Sequence, residues 1–249
     1  MGKVYILSIF SKRMQAVILA GGFGTRLRPL IKDIPKPMAP INGRPFLEYL
    51  LLMLKNKGIG DFVFCLGYLG KKIEDYFNNG ENLGVSIRYS YEEQPLYSAG
   101  AVKNAEELLE KDFFVINGDD YLDIDYRRLI MFHREKDALI TLATRKRDEE
   151  NPRSNLLIGG GLLIEHYGKN ENNLGNVAHT GVTVMNKKVL KDIKKGIPLS
   201  IEDNLFNIYA KKMKAHIYFE EGYFIDIGTP ETYKKFEEDL KKGLVRKPF

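Results

Sequence analysis

The sequence predicts an α/β protein whose mostly parallel sheet carries helices on both faces. Three observations point there. Short apolar runs alternate with amphipathic segments along most of the 249 residues, the pattern of strand–helix–strand units. The first such run, residues 16–20, stops at Gly21-Gly22-Phe23-Gly24; ligands of open α/β sheets bind beyond the carboxyl ends of strands, where such a loop falls. Another run, residues 113–117, ends in Gly118-Asp119-Asp120, which brings carboxylates to the same edge.

Residues 16–20 read as a buried strand: brief, partly β-branched and stopped by glycine. Residues 45–57 carry Phe46, Leu47, Leu50, Leu51 and Leu54 at helical spacing, and Gly58 closes the helix. A strand over 61–66, a short helix over 71–77 and a period-two strand over 85–89 follow. Residues 98–110 are expected as a helix capped by Ser98, 113–117 as a buried strand, 125–136 as a helix and 138–144 as a strand. From Arg145 to about Lys169 the pattern loosens, and Gly159-Gly160-Gly161 marks a flexible loop or a tight hairpin. Strands over 181–185, 215–219 and 223–227 and helices over 201–212 and 231–241 complete the chain. The expected organisation is an N-terminal extension, residues 1–13, and a single domain, residues 14–249. Residues 4–10 are either part of an upstream extension before Met14 or an added edge strand.

Hydrophobic residues make up 44% and charged residues 29%, which is globular rather than disordered. No run nears the roughly 18 apolar residues a membrane span requires, and the N-terminal apolar stretch is too short for a signal peptide. The net charge of +5 comes from lysines scattered among acids, with no basic run or aromatic RNA motif, so neither nucleic acid nor membrane is expected as a partner. The single cysteine, Cys65, permits no internal disulfide, and a cytoplasmic setting is expected. It sits in an apolar run without a neighbouring cation, as a buried inert thiol would.

The glycine loop is where chemistry concentrates. Gly21, Gly22 and Gly24 let the backbone turn tightly and aim N–H groups at an anion. Arg26 adds a fork suited to phosphate, and Pro35-Lys36-Pro37-Met38 holds an ammonium between stiff residues. The segment lacks the third glycine of GxGxxG, and no GxxxxGK[ST] occurs in the chain, so it is neither a dinucleotide fingerprint nor a P-loop. An ordinary strand–turn with a surface arginine is the competing reading. Asp119, after a glycine at a strand end, suits a Mg²⁺ that keeps waters and phosphate oxygens; an Asx turn is its plain alternative. Asp226 lies between Ile225 and Ile227 in an apolar strand, which is costly unless it is paired or binds metal.

AGGFGTRLRPL (20–30), PKPMAPINGRPFLEYL (35–50), NGDD (117–120) and GYFIDIGTP (222–230) together resemble the sugar-1-phosphate nucleotidyltransferases, the NDP-sugar pyrophosphorylases. The form of 36–50 is most similar to the branch of guanylyltransferases acting on heptose 1-phosphate. The resemblance implies a Rossmann-like three-layer α/β/α fold with a mixed, mostly parallel central sheet. It implies a Mg²⁺-dependent enzyme whose substrates are an NTP, expected as GTP, and a sugar 1-phosphate. The catalytic set would be Arg26, Lys36, Asp119 and Asp226, with Asp119 and Asp226 sharing the metal. The nucleotide would lie on Ala20, Gly21, Gly22, Gly24, Thr25, Arg26, Lys36 and Asp119, and on Gln94, Pro95, Ser98, Ala99 and Gly100 from a stretch similar to the family's E-x-P-L-G-T-A-G-A. Whether the enzyme works as a homo-oligomer is left open.

Several positions depart from that family. Tyr97 replaces a glycine beside the expected base pocket, where it either turns to solvent or stacks on a purine. On the sugar side, Lys169 follows a glycine rather than the family's glutamate, His179-Thr180-Gly181 stands in for N-[AG]-G, and Glu202 falls in a loose S-x-E-x-D segment. The resemblance implies a sugar-phosphate subsite of Lys169, His179, Gly181 and Glu202. Thymidylyl-, cytidylyl- or mannose-specific guanylyltransferases, and a non-catalytic sugar-nucleotide sensor, remain the alternatives.

Overall fold

A computed structural model of the chain describes residues 14–22, 27, 31, 33–146, 156–168, 175 and 177–245. In chain order the elements are β1 (Met14–Ala20), β2 (Pro40–Ile41), β3 (Arg44–Pro45), α1 (Phe46–Asn56), β4 (Ile59–Leu66), α2 (Gly70–Phe77), β5 (Ser86–Tyr91), α3 (Tyr97–Asn104) and β6 (Asp112–Asn117). Then come β7 (Asp120–Asp123), α4 (Tyr126–Glu135), β8 (Ile140–Lys146), β9 (Leu156–Ile158), β10 (Ile164–Tyr167), β11 (Val177–Asn186), α5 (Phe206–Lys211), β12 (Ala215–Phe219), β13 (Tyr223–Asp226) and α6 (Pro230–Lys241).

Seven strands form the central sheet in the order β12-β8-β11-β6-β1-β4-β5. All neighbours are parallel except β11, which runs against both β6 and β8. The mixed, mostly parallel sheet expected from the sequence is therefore present. The carboxyl ends of β1, β4, β5 and β6 share one edge, and the first half of β11 returns beside them.

Strand alternation feeds a core on each face. Ala16, Ile18 and Ala20 point toward Phe46, Leu47 and Leu50 of α1, Ile73 of α2, Leu129 of α4 and Phe236 of α6. Val17, Val63 and Cys65 point the other way, against Ala99 and Val102 of α3 and Phe206 and Tyr209 of α5. Burying a side chain of this size stabilises by about 1.5–3 kcal/mol, so two such faces fix the sheet between its helices. Burial pushes the Cys65 thiol up to about 12, as expected of an inert thiol. His133 and His216 are also buried, and His133 Nδ1 lies 2.8 Å from Thr141 Oγ1.

The departures from expectation have local causes. The helix expected over 98–110 ends at Asn104, followed by a 3₁₀ turn over Glu106–Leu108. Gln15 ends it: its side chain accepts from Glu110 N at 2.7 Å and donates to Leu108 O at 3.1 Å. Ser98 does not cap its own helix. The segment 201–212 opens as a π-helical turn, Ile201–Leu205, before α5, because Ser200 Oγ and Asn204 Oδ1 bind its first amides. Gly159–Gly161 becomes the tight hairpin alternative, a 3₁₀ turn between the antiparallel strands β9 and β10. Residues 223–226 form a strand off the central sheet, paired antiparallel with β7. Residues 1–13 lie outside the described residues.

Candidate active site

The carboxyl edge of the sheet gathers the sequence-derived carboxylates and lysine. Gly118 N donates to Leu19 O at 2.9 Å. A Cβ at Gly118 would come within 3.1 Å of both Leu19 O and the Pro37 ring, so a side chain here would push β1 or the 35–38 turn outward by a few tenths of an ångström. That turn is a 3₁₀ helix, Lys36–Met38, with proline in its first turn, and it delivers a buried lysine. Lys36 Nζ touches Asp119 Oδ2 and lies 3.4 Å from Asp226 Oδ1. Asp226 arrives on β13, and Ile227 N fixes the two segments by donating to Asp119 O at 3.0 Å. The motif after Asp226 is structural as well: Thr229 forms a capping box with Thr232 and Pro230 opens α6.

Asp226 is not buried between its isoleucines. Its side chain is 40% exposed, while Ile225 and Ile227 pack into the core. The strand presents the carboxylate to the cleft, so the burial cost inferred from the sequence does not arise; convergence with Asp119 on one cation replaces it.

Sequence reasoning passed over Asp120, the deepest carboxylate here. It pairs with Asp226 across the β7–β13 ribbon and accepts a 2.9 Å hydrogen bond from Asn117 Nδ2. Burial, then the negative charges of Asp119 and Asp226, hold its carboxyl well above the usual range. Gly181 of β11 makes room for it. With φ +71°, an added Cβ there would lie 1.7 Å from Asp120 Oδ2 and 2.8 Å from Asn117 Nδ2. Gly181, expected on the sugar subsite, thus borders the carboxylate cluster.

Asp119 and Asp226 offer hard oxygens converging on one cationic position, which the Lys36 ammonium reaches. The described residues hold no group of three or more His, Cys, Asp or Glu arranged for a metal. A hard divalent cation placed here would have these two carboxylates as its protein ligands, with water or ligand oxygens completing its shell.

A second cluster joins residues expected on different subsites. Ala99 N and Gly100 N donate to Leu199 O at 2.8 and 3.1 Å, and Leu199 N donates to Leu96 O at 2.9 Å. A Cβ on Gly100 would sit 2.7 Å from Ile197 O. Ser98 Oγ accepts from Ile201 N at 2.8 Å and donates to Glu202 Oε2 at 2.9 Å. His179 lies on β11 with Nε2 3.2 Å from Thr183 Oγ1; burial depresses its basicity, against the opposing charge of Glu202. Gln94 and Pro95 are exposed just before α3, and Ala20 ends β1, with Gly21 and Gly22 directly after it. Gly24, Thr25, Arg26 and Lys169 lie outside the described residues.

Tyr97 is two-thirds exposed, at 67%, with φ +55°. A bulky residue in the left-handed region is strained by roughly 1–2 kcal/mol, which explains why a glycine suits this position. Tyr97→Gly is expected to stabilise the fold by about 0.5–1 kcal/mol in urea unfolding, the strain relief less glycine's entropy. Unchanged or lower stability would show that the ring makes compensating contacts.

Residues 15–243 match the Nucleotidyl transferase family, and the chain belongs to it. It is 36% identical to D-glycero-α-D-manno-heptose 1-phosphate guanylyltransferase of Campylobacter jejuni over 90% of this chain and 98% of the relative. It is 34% identical to the enzyme of the same name from Aneurinibacillus thermoaerophilus over 92% and 99%. In structure it resembles HddC from Yersinia pseudotuberculosis complexed with GMP-PN, with a TM-score of 0.77 and 30% identity, covering 91% of this chain and 99% of that one. Among the described residues no helix is long and apolar enough to cross a membrane.

Proposed function

We propose that this chain joins GTP to a heptose 1-phosphate, giving GDP-heptose and pyrophosphate. The observation that carries this reading is Lys36 lying between Asp119 and Asp226 beside the glycine end of β1. The similarity to heptose 1-phosphate guanylyltransferases supports the choice of base and sugar.

The sugar phosphate is largely a dianion at pH 7, since its second pKa is about 6, so no general base is needed. One of its oxygens attacks the α-phosphorus of GTP in line. The new P–O bond forms as the bond to the β-phosphate bridging oxygen breaks, and pyrophosphate leaves with that electron pair. The protein's task is to position highly charged groups and offset their repulsion. Gly21 and Gly22 admit the nucleotide close to the backbone, Lys36 meets phosphate, the family pattern assigns Arg26 to phosphate as well, and Asp119 and Asp226 would hold Mg²⁺, which when bound neutralises triphosphate charge. Gly24 and Thr25 are assigned to the phosphates by the family pattern, and Gln94, Pro95, Ser98, Ala99 and Gly100 to the base. The family pattern assigns Lys169, His179, Gly181 and Glu202 to the sugar phosphate, and Ser98 steadies Glu202.

Pyrophosphate release measured over GTP, ATP, UTP, CTP and dTTP against heptose, mannose and glucose 1-phosphates tests the reading. Highest kcat/KM with GTP and heptose 1-phosphate is expected. A best pair containing dTTP or mannose 1-phosphate would replace the substrate assignment, and nucleotide binding without turnover would favour a sensor. Lys36→Ala is expected to lower kcat/KM about 10–100-fold for every nucleotide alike, because a phosphate contact worth about 1.5–3 kcal/mol carries no base information. A changed order of nucleotide preference would move Lys36 to the base pocket.

A further inference from the structure

The turn that carries Lys36 leads straight into the β2–β3 hairpin. Ala39 N closes the turn on Lys36 O at 3.0 Å, and Phe46 N then donates to Ala39 O at 2.9 Å. Ala39 and Phe46 are thus a hydrogen-bonded pair. The next pair along, Pro40 opposite Pro45, is a non-hydrogen-bonded one, whose carbonyls point out of the ladder. Proline has no N–H, so Pro40 O is the polar backbone group that this edge of the hairpin presents outward.

Two tyrosine hydroxyls hold the hairpin at consecutive carbonyls. Tyr49, on α1, donates to Ile41 O at 3.1 Å. Tyr233, on α6, donates to Pro40 O. Tyr49 follows the hairpin directly in the chain, whereas Tyr233 comes from the far end of the sequence. It stands in the first turn of the helix that the segment after Asp226 opens: Thr229 caps that helix with Thr232, and Tyr233 N donates to Thr229 O at 2.9 Å.

These contacts close a ring. It runs from Lys36 along residues 37–40, across the Tyr233 hydroxyl, back through the capped turn to Asp226, and over the 3.4 Å from Asp226 Oδ1 to Lys36 Nζ. Phe236, one turn beyond Tyr233, packs edge-on against Phe46 at 5.0 Å and Tyr49 at 6.0 Å, so α6 is seated firmly on the foot of the hairpin. Pro40 itself is exposed, and water can take its carbonyl when the hydroxyl is absent. The bond therefore adds little to the stability of the fold; what it controls is where the Lys36 turn sits relative to Asp226.

We propose that Tyr233 is a positioning residue, whose hydroxyl, acting through Pro40 O, sets the reach of the Lys36 ammonium between Asp119 and Asp226. Its effect on turnover rests on Lys36 meeting phosphate, as in the proposed function.

The test uses the full chain as wild type, Tyr233→Phe, Lys36→Ala and the double variant of these two. Tyr209→Phe is the control: it deletes a hydroxyl that donates to Asp192 Oδ2 at 2.7 Å, in the core on the other face of the sheet. The first readout is NMR of lysine isotopically labelled at Cε, with the Lys36 signal identified by its loss in Lys36→Ala. That signal should shift or broaden in Tyr233→Phe and stay in place in Tyr209→Phe. The second readout is kcat/KM. Tyr233→Phe should lower it about 3–10-fold for GTP and ATP alike, the scale of one net hydrogen bond. In the Lys36→Ala background the same change should cost less than about 2-fold, because the residue acts through Lys36. The melting temperature should fall by no more than about 4 °C. An unmoved Lys36 signal, or an equal loss in both backgrounds, would reduce Tyr233 to a packing residue and overturn the proposal. If the wild type releases no pyrophosphate, a Lys36 signal that moves in Tyr233→Phe alone sinks the transferase reading and leaves the positioning role standing; turnover with an unmoved signal does the reverse.

Discussion

Asp226→Asn is expected to lower turnover about 100-fold or more, the usual cost of removing one electrostatic stabiliser from a site that works by charge placement. The loss should be in kcat and should deepen at limiting Mg²⁺, because asparagine remains an oxygen ligand without the charge. Folding should survive: the side chain is 40% exposed, and the β7–β13 ribbon is held by backbone pairing. Steady-state kinetics across a Mg²⁺ titration, with circular dichroism as the folding control, measures this. Activity within threefold of wild type at low Mg²⁺ would remove Asp226 from the metal.

Gly181→Ala is expected to cost about 3 kcal/mol of stability, combining left-handed backbone strain of roughly 1 kcal/mol with overpacking of roughly 1–3 kcal/mol. Its φ is +71°, and the new methyl would fall 1.7 Å from Asp120 Oδ2. Gly196→Ala isolates the first contribution, since φ there is +78° and a Cβ would meet no described atom within 4 Å; about 1 kcal/mol is expected. Urea unfolding of the two variants gives the difference directly. Equal losses would mean that Asp120 has room to move aside, and that the close fit of β11 to the carboxylates is not what holds them together.

Much of this structure is legible in the sequence where periodicity is strong. Leu47, Leu50, Leu51 and Leu54 announce α1, and the alternation in β1 sorts Ile18 from Val17 into opposite cores. Elements set by distant partners were not legible. The three- and four-residue strands β9 and β10 carry too few side chains for a period. β7 starts and ends on aspartate, which reads as a loop until β13 pairs with it. The end of α3 depends on Gln15, far back in the chain. In the site, Lys36, Asp119 and Asp226 could be singled out because prolines, a glycine and isoleucines surround them. Asp120 could not, since adjacent aspartates in a turn are ordinarily solvated; its burial is created by Gly181 arriving on the antiparallel strand.

Nucleotidyl transfer itself is tested most directly by following one mixture of protein, GTP, heptose 1-phosphate and Mg²⁺ by phosphorus NMR. Attack at the α-phosphorus requires a sugar-linked diphosphate and inorganic pyrophosphate to grow in equal amounts while GTP and sugar phosphate fall together, and Asp226→Asn must suppress both products. Orthophosphate and GDP accumulating without a sugar-linked diphosphate, or no change in any signal with the folded wild-type protein, would contradict it.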